Sequence, residues 1–491
     1  VSGVVAAGNP LTAEAAALIL RAGGNAVDAA TAGAAACFAA EPLLASAGGA
    51  GIMLVREPGR APVAIDFFSA VPGLGAGTVD PAGLDFEAIE VDFGSAVQTF
   101  HVGRGAAAAP TMFEGLATAA RRFGSLPLTT LMAPAVGLAR DGIVLDLLTA
   151  RTFSLLWEIL RRDPACLEEI AHGLPTHRPP RVGERLYNPN LADTLESFAV
   201  LGGPPPALLD GLSAEFGLGQ GGLIQPADLD PKVQICAPHR FRLGAWEVST
   251  SPRLGGRLVG VIARALEVHS GTPSRESSEA GLVRAQALAS RGGHLARVEL
   301  PPAGHRGSTT QVSVVDGAGG AASVTLTSGE GCGHVVSGTG VHINNFLGEE
   351  DLNPAGFHGH LAGAALPTMI APTIAVHDSG RVVALGSGGS NRIRSVVALV
   401  IHAIAVEGRG IEAAVEAPRV HGEDRSVWVE LADRVAPHAI DRFLRGTFTQ
   451  VHGFADRDFF FGGVHVAERG SDGRLAGIGD ARRGGAAIVI A

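Results

Sequence analysis

Thr309 is the residue of this chain best placed to do chemistry. It stands in Ser308-Thr309-Thr310-Gln311-Val312-Ser313-Val314-Val315-Asp316, directly after the loop Pro301-Pro302-Ala303-Gly304-His305-Arg306-Gly307. A loop of small residues thus runs into a threonine that opens an alternating segment. In that setting the Thr309 hydroxyl can attack the Ser308 carbonyl, break the peptide bond and leave an ester that water releases. The cut exposes an α-amine on Thr309. Its unperturbed pKa of about 7.7–8 leaves part of it unprotonated at neutral pH. It can then take the proton of the neighbouring hydroxyl, which activates the nucleophile. The same residues also fit an ordinary threonine-rich strand start, and the rest of the chain has to separate the two.

The elements around Thr309 are readable. Thr310–Val315 and Ala322–Thr327 alternate with period two, and Asp316-Gly317-Ala318-Gly319-Gly320 joins them as a turn, so a hairpin is expected. Further strands are expected at Ile52–Arg56, Val63–Phe67, Val335–Gly338, Thr373–His377 and Val382–Leu385. Thr12–Ala22 reads as a helix capped by Thr12 and stopped by Gly23-Gly24. Other helices are expected over Ala26–Phe38, over 111–200 in segments broken near Gly124, Gly142 and Pro179, and over Arg394–Val406. Residues 71–95 and Gly202–Gly222 read as irregular. Strands and helices mix without strict alternation, which favours an α+β class over a doubly wound sheet.

Composition removes several function classes. The 491 residues are 46% hydrophobic, enough for a large core, and as a soft prior allow two to four ordinary domains or fewer large ones. Net charge is −10, so no basic surface for nucleic acid or an anionic membrane is expected. Lys232 is the only lysine, which excludes a Gly-Lys-Ser/Thr phosphate loop. Gly217-Leu218-Gly219-Gln220-Gly221-Gly222 matches G-x-G-x-x-G but lacks a preceding strand and a following helix. Cys37, Cys166, Cys236 and Cys332 show no paired spacing, so neither disulfides nor a zinc site are expected. His358-Gly359-His360 has no spaced third ligand. No metal and no cofactor are therefore expected. No apolar run is long enough to span a bilayer. Cytoplasmic residence is the expectation, and a chain starting at Val1 is also compatible with a removed leader.

Several blocks in order resemble the γ-glutamyltransferase family. They are Asn9-Pro10-Leu11-Thr12-Ala13-Glu14-Ala15, Gly23-Gly24-Asn25-Ala26-Val27-Asp28-Ala29-Ala30, Glu41-Pro42 with Gly48-Gly49-Ala50-Gly51, and Ala139-Arg140-Asp141-Gly142. The cleavage-site block Thr309–Asp316 follows, with Gln311 where the family usually has His. Then come Gly338-Thr339-Gly340-Val341-His342-Ile343-Asn344-Asn345, Ala371-Pro372-Thr373, Gly386-Ser387-Gly388-Gly389-Ser390 and Glu416-Ala417-Pro418-Arg419. The resemblance implies a four-layer αββα sandwich of the N-terminal nucleophile hydrolase type. It implies one such domain cut at Ser308/Thr309 into a large piece, 1–308, and a small piece, 309–491. Thr309 would be the nucleophile, and Thr327 the second family threonine that bonds it. Gly389 and Ser390 would supply oxyanion-binding amides.

Substrate recognition departs from the family. Phe68 stands at the position of the Arg that clamps the γ-glutamyl α-carboxylate, and Ser69 at the following Glu. Gly329 replaces a substrate-binding Asn, Phe346 a Gln, and Thr368 and Met369 two adjacent Ser residues. Glu349 or Glu350 is left to stand in for the acidic contact. A Phe cannot make the paired charge-assisted bonds of an Arg fork. An Arg from elsewhere, such as Arg392, Arg394 or Arg104, could substitute. The expected activity is hydrolysis of a small molecule that is not a simple γ-glutamyl amide. One branch of the family hydrolyses a carbon–carbon bond in antibiotic pathways that make 4-alkyl-proline units. Two alternatives stay open: a conventional γ-glutamyl hydrolase or transferase with a rebuilt clamp, and an uncleaved homologue that binds without turnover. A homo-oligomer is also open.

Overall fold

The computed structural model describes all residues except 93–96, 231–232, 271–278, 292–307, 355 and 436. Lys232 and the loop 301–307 lie outside the described residues. Thirteen strands build the centre: β1 (Gly3–Ala7), β2 (Ala50–Arg56), β3 (Val63–Phe67), β4 (Gln234–Cys236), β5 (His239–Leu243), β6 (Trp246–Thr250), β7 (Thr309–Asp316), β8 (Ala321–Thr327), β9 (Thr373–His377), β10 (Val382–Gly388), β11 (Gly463–Arg469), β12 (Leu475–Ile478) and β13 (Ala486–Ile490). One antiparallel sheet runs β13-β1-β7-β8-β2-β3-β4 and a second β12-β11-β10-β9-β6-β5.

The period-two pattern of β7 explains the layering. Val312 and Val314 point into a core shared with helices α1 (Pro10–Arg21), α2 (Ala26–Ala40), α3 (Met112–Phe123) and α4 (Leu128–Asp141). The opposite face of β7 meets the second sheet. The outer face of that sheet is covered by α5 (Leu254–Ser270) and α6 (Ile393–Ala405). The layers are therefore helix, sheet, sheet, helix, as the resemblance implied.

The space between the sheets is apolar at one end, around Val315, Ile374 and Ala384, and polar toward Thr309. Gln311 is buried there. Its Nε2 donates to Ser313 Oγ at 2.9 Å and Ser323 Oγ at 3.0 Å, and its Oε1 accepts from Thr325 Oγ1 at 2.6 Å. Ser313 and Ser323 donate across to His465 O and Leu385 O. A buried amide needs such partners, and the Gln at the usual His position is thereby a stitch between the sheets.

Helix α2 is buried along its whole length, and Gly33 lets it sit close against Ala16 of α1 and Val312 of β7. Its one charge, Asp28, closes a capping box with Asn25 and accepts from Ser125 Oγ at 2.5 Å. No described helix is long and apolar enough to cross a membrane.

Several sequence expectations are corrected. Asn9, not Thr12, caps α1, its side chain accepting from Leu11 N–H at 2.8 Å. Thr12 lies inside the helix and donates to Glu41 Oε1 at 2.7 Å. A hairpin, Glu87–Asp92 with Val97–Val102, lies partly in the stretch read as irregular, and a helix, Pro206–Glu215, lies in the expected loop cluster.

Behind β7 and β11 sits a buried ion network. Arg482 forks onto Glu430 at 2.7 and 2.6 Å, and Arg419 pairs with Asp480. Removing one partner of a buried pair strands the other charge, at a cost of about 3–5 kcal/mol. Glu430→Ala is therefore expected to lower the chemical-denaturation midpoint strongly, whereas a surface pair such as Arg445–Asp441 should contribute roughly 0–1 kcal/mol.

Candidate active site

Thr309 opens β7 directly opposite Thr327, the last residue of β8. Both are buried. The Thr309 hydroxyl donates to Thr327 Oγ1 at 3.3 Å, and the Thr327 hydroxyl donates to Ser308 O at 2.6 Å. Gly329 N–H completes the set by donating to Thr327 Oγ1 at 3.1 Å. A hydroxyl has one donor and two acceptor sites, so Thr327 is saturated. The arrangement polarises the Ser308 carbonyl and leaves a lone pair on Thr309 Oγ beside it.

The end of β10 reaches the same point. A Cβ on Gly388 would lie 2.1 Å from Thr309 O, so only glycine allows this approach. Gly389 has φ 124° and Ser390 φ 49°. Left-handed φ at a non-glycine residue costs about 1–3 kcal/mol and persists where surroundings over-determine it. Here Ser390 Oγ donates to Asp351 Oδ2 at 2.6 Å.

A cleft with about 320 Å³ of open space meets Thr309, Thr327 and Ser390. Phe68, Phe346, Thr368, Met369 and Glu349 also line it, so eight of the sequence-derived site residues converge. Gly329 and Gly389 are not among the lining residues. Phe68 and Phe346 stack with centroids 5.0 Å apart. Phe68 N–H donates to Asp66 Oδ1 at 3.1 Å. Leu352, Ile370 and Ile393 extend the apolar wall.

The suggested substitute arginines are committed elsewhere. Arg392 is buried over the Phe460 ring and donates to Phe460 O. Arg394 pairs with Glu423 at 2.9 Å, and Arg104 with Asp85 at 3.5 Å. Arg253, which sequence reading did not single out, is forked onto Asp66 at 2.6 and 3.2 Å. No Arg or Lys is among the described residues lining the cleft.

The other wall is acidic. Glu330, Glu349 and Asp351 face one another. Burial, with the neighbouring Asp351 carboxylate, pushes Glu330 up to about 8. Burial and the Glu330 and Asp351 charges likewise raise Glu349 well above the usual carboxylate range. Gly329 makes this crowding possible: a Cβ there would lie 1.9 Å from Glu349 Oε1. The Gly at the family Asn position thus gives its space to a carboxyl. Glu330 was missed in the sequence, although it directly follows Gly329.

These raised values have a stability consequence. Between about pH 4.5 and 8 the native state holds protons that the unfolded chain has released, so stability falls as pH rises through that window. Melting temperatures measured from pH 5 to 8 should fall, and Glu349→Gln should flatten the slope.

Among the described residues no group of His, Cys, Asp and Glu could hold a metal ion. His358 instead sits against Gly105 O at 2.9 Å.

The chain is similar to known proteins along nearly its whole length. The gamma-glutamyltranspeptidase family model matches residues 12–290 and 278–490. The Acylase ACY 1 proenzyme of Pseudomonas sp. (strain SE83) is 27% identical over 99% of this chain and 93% of its own. The glutathione hydrolase proenzyme of Bacillus subtilis (strain 168) is 25% identical over 99% and 91%. In fold, cephalosporin acylase from Bacillus halodurans matches with a TM-score of 0.79 at 22% identity, covering 99% of this chain and 95% of that one. LmbA matches with a TM-score of 0.77 at 21% identity, over 99% and 98%. These are α+β structures of the N-terminal nucleophile hydrolase type, and the relatives are proenzymes. The chain belongs to the gamma-glutamyltranspeptidase family, whose members are hydrolases and acyltransferases with a threonine nucleophile.

Proposed function

We propose that the chain cuts itself between Ser308 and Thr309 and then uses Thr309 to hydrolyse a substrate that is not a simple γ-glutamyl compound. Residues 1–308 and 309–491 both give strands to each central sheet and interleave in the first, which supports a mature enzyme in which the two pieces stay paired. The acyl carbonyl of the substrate takes the Thr309 hydroxyl, its oxyanion is held by the Gly389 and Ser390 amides, and water releases the acid. Glu349, Phe68, Phe346, Thr368 and Met369 shape the substrate pocket.

The observation that carries the substrate reading is the Phe68–Phe346 stack at the place of the carboxylate clamp. A γ-glutamyl group would bring its α-carboxylate to an apolar wall facing the Glu349 and Asp351 carboxyls, with no cation among the described lining residues. A buried, unpaired carboxylate costs several kcal/mol, and polar mismatch of this kind discriminates strongly. Within this reading the substrate belongs to specialised metabolism. Cleavage of an acyl carbon from a carbon leaving group, as in 4-alkyl-proline antibiotic pathways, is its specific form. The relatives named acylases fit a family pocket that accepts other acyl groups.

The test compares p-nitroaniline release from a γ-glutamyl anilide with release from a butyryl anilide that lacks the α-amino and α-carboxylate groups. The γ-glutamyl compound should show kcat/KM lower by about 10²-fold or more. A preference for the γ-glutamyl compound would restore the conventional activity.

A further inference from the structure

Ser308, whose carbonyl is attacked, is gripped at both ends. Its carbonyl oxygen accepts from Thr327 Oγ1 at 2.6 Å, and its N–H donates to Glu330 Oε1 at 3.2 Å. Glu330 is itself fixed: its N–H donates to Asn345 Oδ1 at 2.9 Å, and Asn345 N–H donates to Ser328 O at 3.3 Å. Its side chain is buried, and Oε2 has no hydrogen-bond partner. A buried carboxyl set against a backbone amide is costly to keep, and no part of the acyl-transfer chemistry above uses it.

We propose that Glu330 is a positioning residue for self-cleavage, its carboxyl holding the Ser308 amide so that the scissile carbonyl stays against Thr327 and in reach of Thr309. This rests on the self-cleaving reading of Thr309. In the step it serves, Thr309 Oγ bonds to the Ser308 carbonyl carbon and the Ser308–Thr309 C–N bond breaks. The hydroxyl proton ends on the leaving nitrogen, which becomes the Thr309 α-amine. Water then adds to the ester, giving the Ser308 carboxylic acid and the free Thr309 hydroxyl.

An ionised acceptor holds an amide more strongly than a neutral one. Glu330 faces Asp351 and Glu349 from the loop after Asn345, Arg392 from the turn after Ser390, and the amides of Ser308 and of its own backbone. Burial and the Asp351 charge raise it to about 8, so its charge, and its grip, grow as pH rises through that value.

The test uses full-length precursor made by cell-free translation and followed by intact mass spectrometry from pH 6.5 to 9. Wild type should cleave faster with rising pH and level off above about 8. Glu330→Gln keeps an acceptor oxygen without the charge, so it should cleave more slowly and lose that inflection. Glu330→Ala should cleave at least ten-fold more slowly than Glu330→Gln. The proposal fails if Glu330→Ala cleaves at the wild-type rate, or if Glu330→Gln retains the inflection. Should the alanine variant not fold, as judged by circular dichroism, the glutamine profile decides alone. A wild-type precursor that never cleaves overturns the Thr309 reading and this one with it. Wild-type cleavage with no effect of Glu330 sinks this one only.

Discussion

Thr309→Ala will remain one chain of 491 residues under denaturing mass spectrometry, where the wild type separates into 1–308 and 309–491. The substitution removes the Thr309 hydroxyl that would attack the Ser308 carbonyl and leaves the backbone register with Thr327 untouched. The flanking strand residues stay locked: Thr310 donates to Glu41 Oε2 at 2.6 Å, and Gln311 keeps its ties to Ser313 and Ser323. The variant should therefore fold and stay uncut. Hydrolytic turnover should fall by about 10⁴-fold or more, as when a nucleophile is removed from an enzyme that works through it. Thr309→Ser retains a hydroxyl and should still give two fragments, at a lower rate. A wild type found intact would shift the weight to a binding protein that happens to keep the fold. Activity in the uncut alanine variant would place the chemistry elsewhere in the cleft.

Much of the fold was legible because its signals are local. The alternation in Thr310–Val315 and Ala322–Thr327 gave the central hairpin, which the structure extends by a residue at both ends of the first strand and at the start of the second. Gly124 and Gly142 ended helices where expected. The helix Pro206–Glu215 was hidden because prolines at its start read as a turn, although proline suits the first helical position. In the site, motif order brought Phe68, Phe346, Met369 and Thr309 to one place, but not their relations. That Phe68 stacks on Phe346, or that Gly329 leaves room for Glu349, depends on segments far apart in the chain. Arg392 and Arg394 looked available at a helix start and proved buried among carbonyls, an aromatic ring and Glu423. Glu330 carries no local signal, since its meaning comes from the Ser308 amide just before β7 and from Asp351.

Thr327→Val should slow self-cleavage by about 10²-fold or more while preserving the strand. Valine matches threonine in shape and keeps the β-branch that suits a strand, so the hairpin has no steric reason to change. What disappears is one hydroxyl that makes three bonds: to Ser308 O, from Thr309 Oγ1 and from Gly329 N–H. The first polarises the carbonyl under attack. A donor lost from a developing oxyanion typically costs about 10²–10³ in rate. The second orients the nucleophile, and its loss leaves a buried hydroxyl without an acceptor, at about 1–3 kcal/mol. Thr327→Ser restores all three bonds and should cleave close to the wild-type rate. If valine and serine slow cleavage equally, the methyl group and its packing matter, and the hydroxyl geometry described above is incidental. If valine alone is slow, the hydrogen bond from Thr327 to the Ser308 carbonyl drives the cut. The mature enzyme then gives a second readout. Fragments 1–308 and 309–491 recovered from slowly cleaved Thr327→Val would show how far the same hydroxyl, now beside a free Thr309 amine, also serves each later turnover.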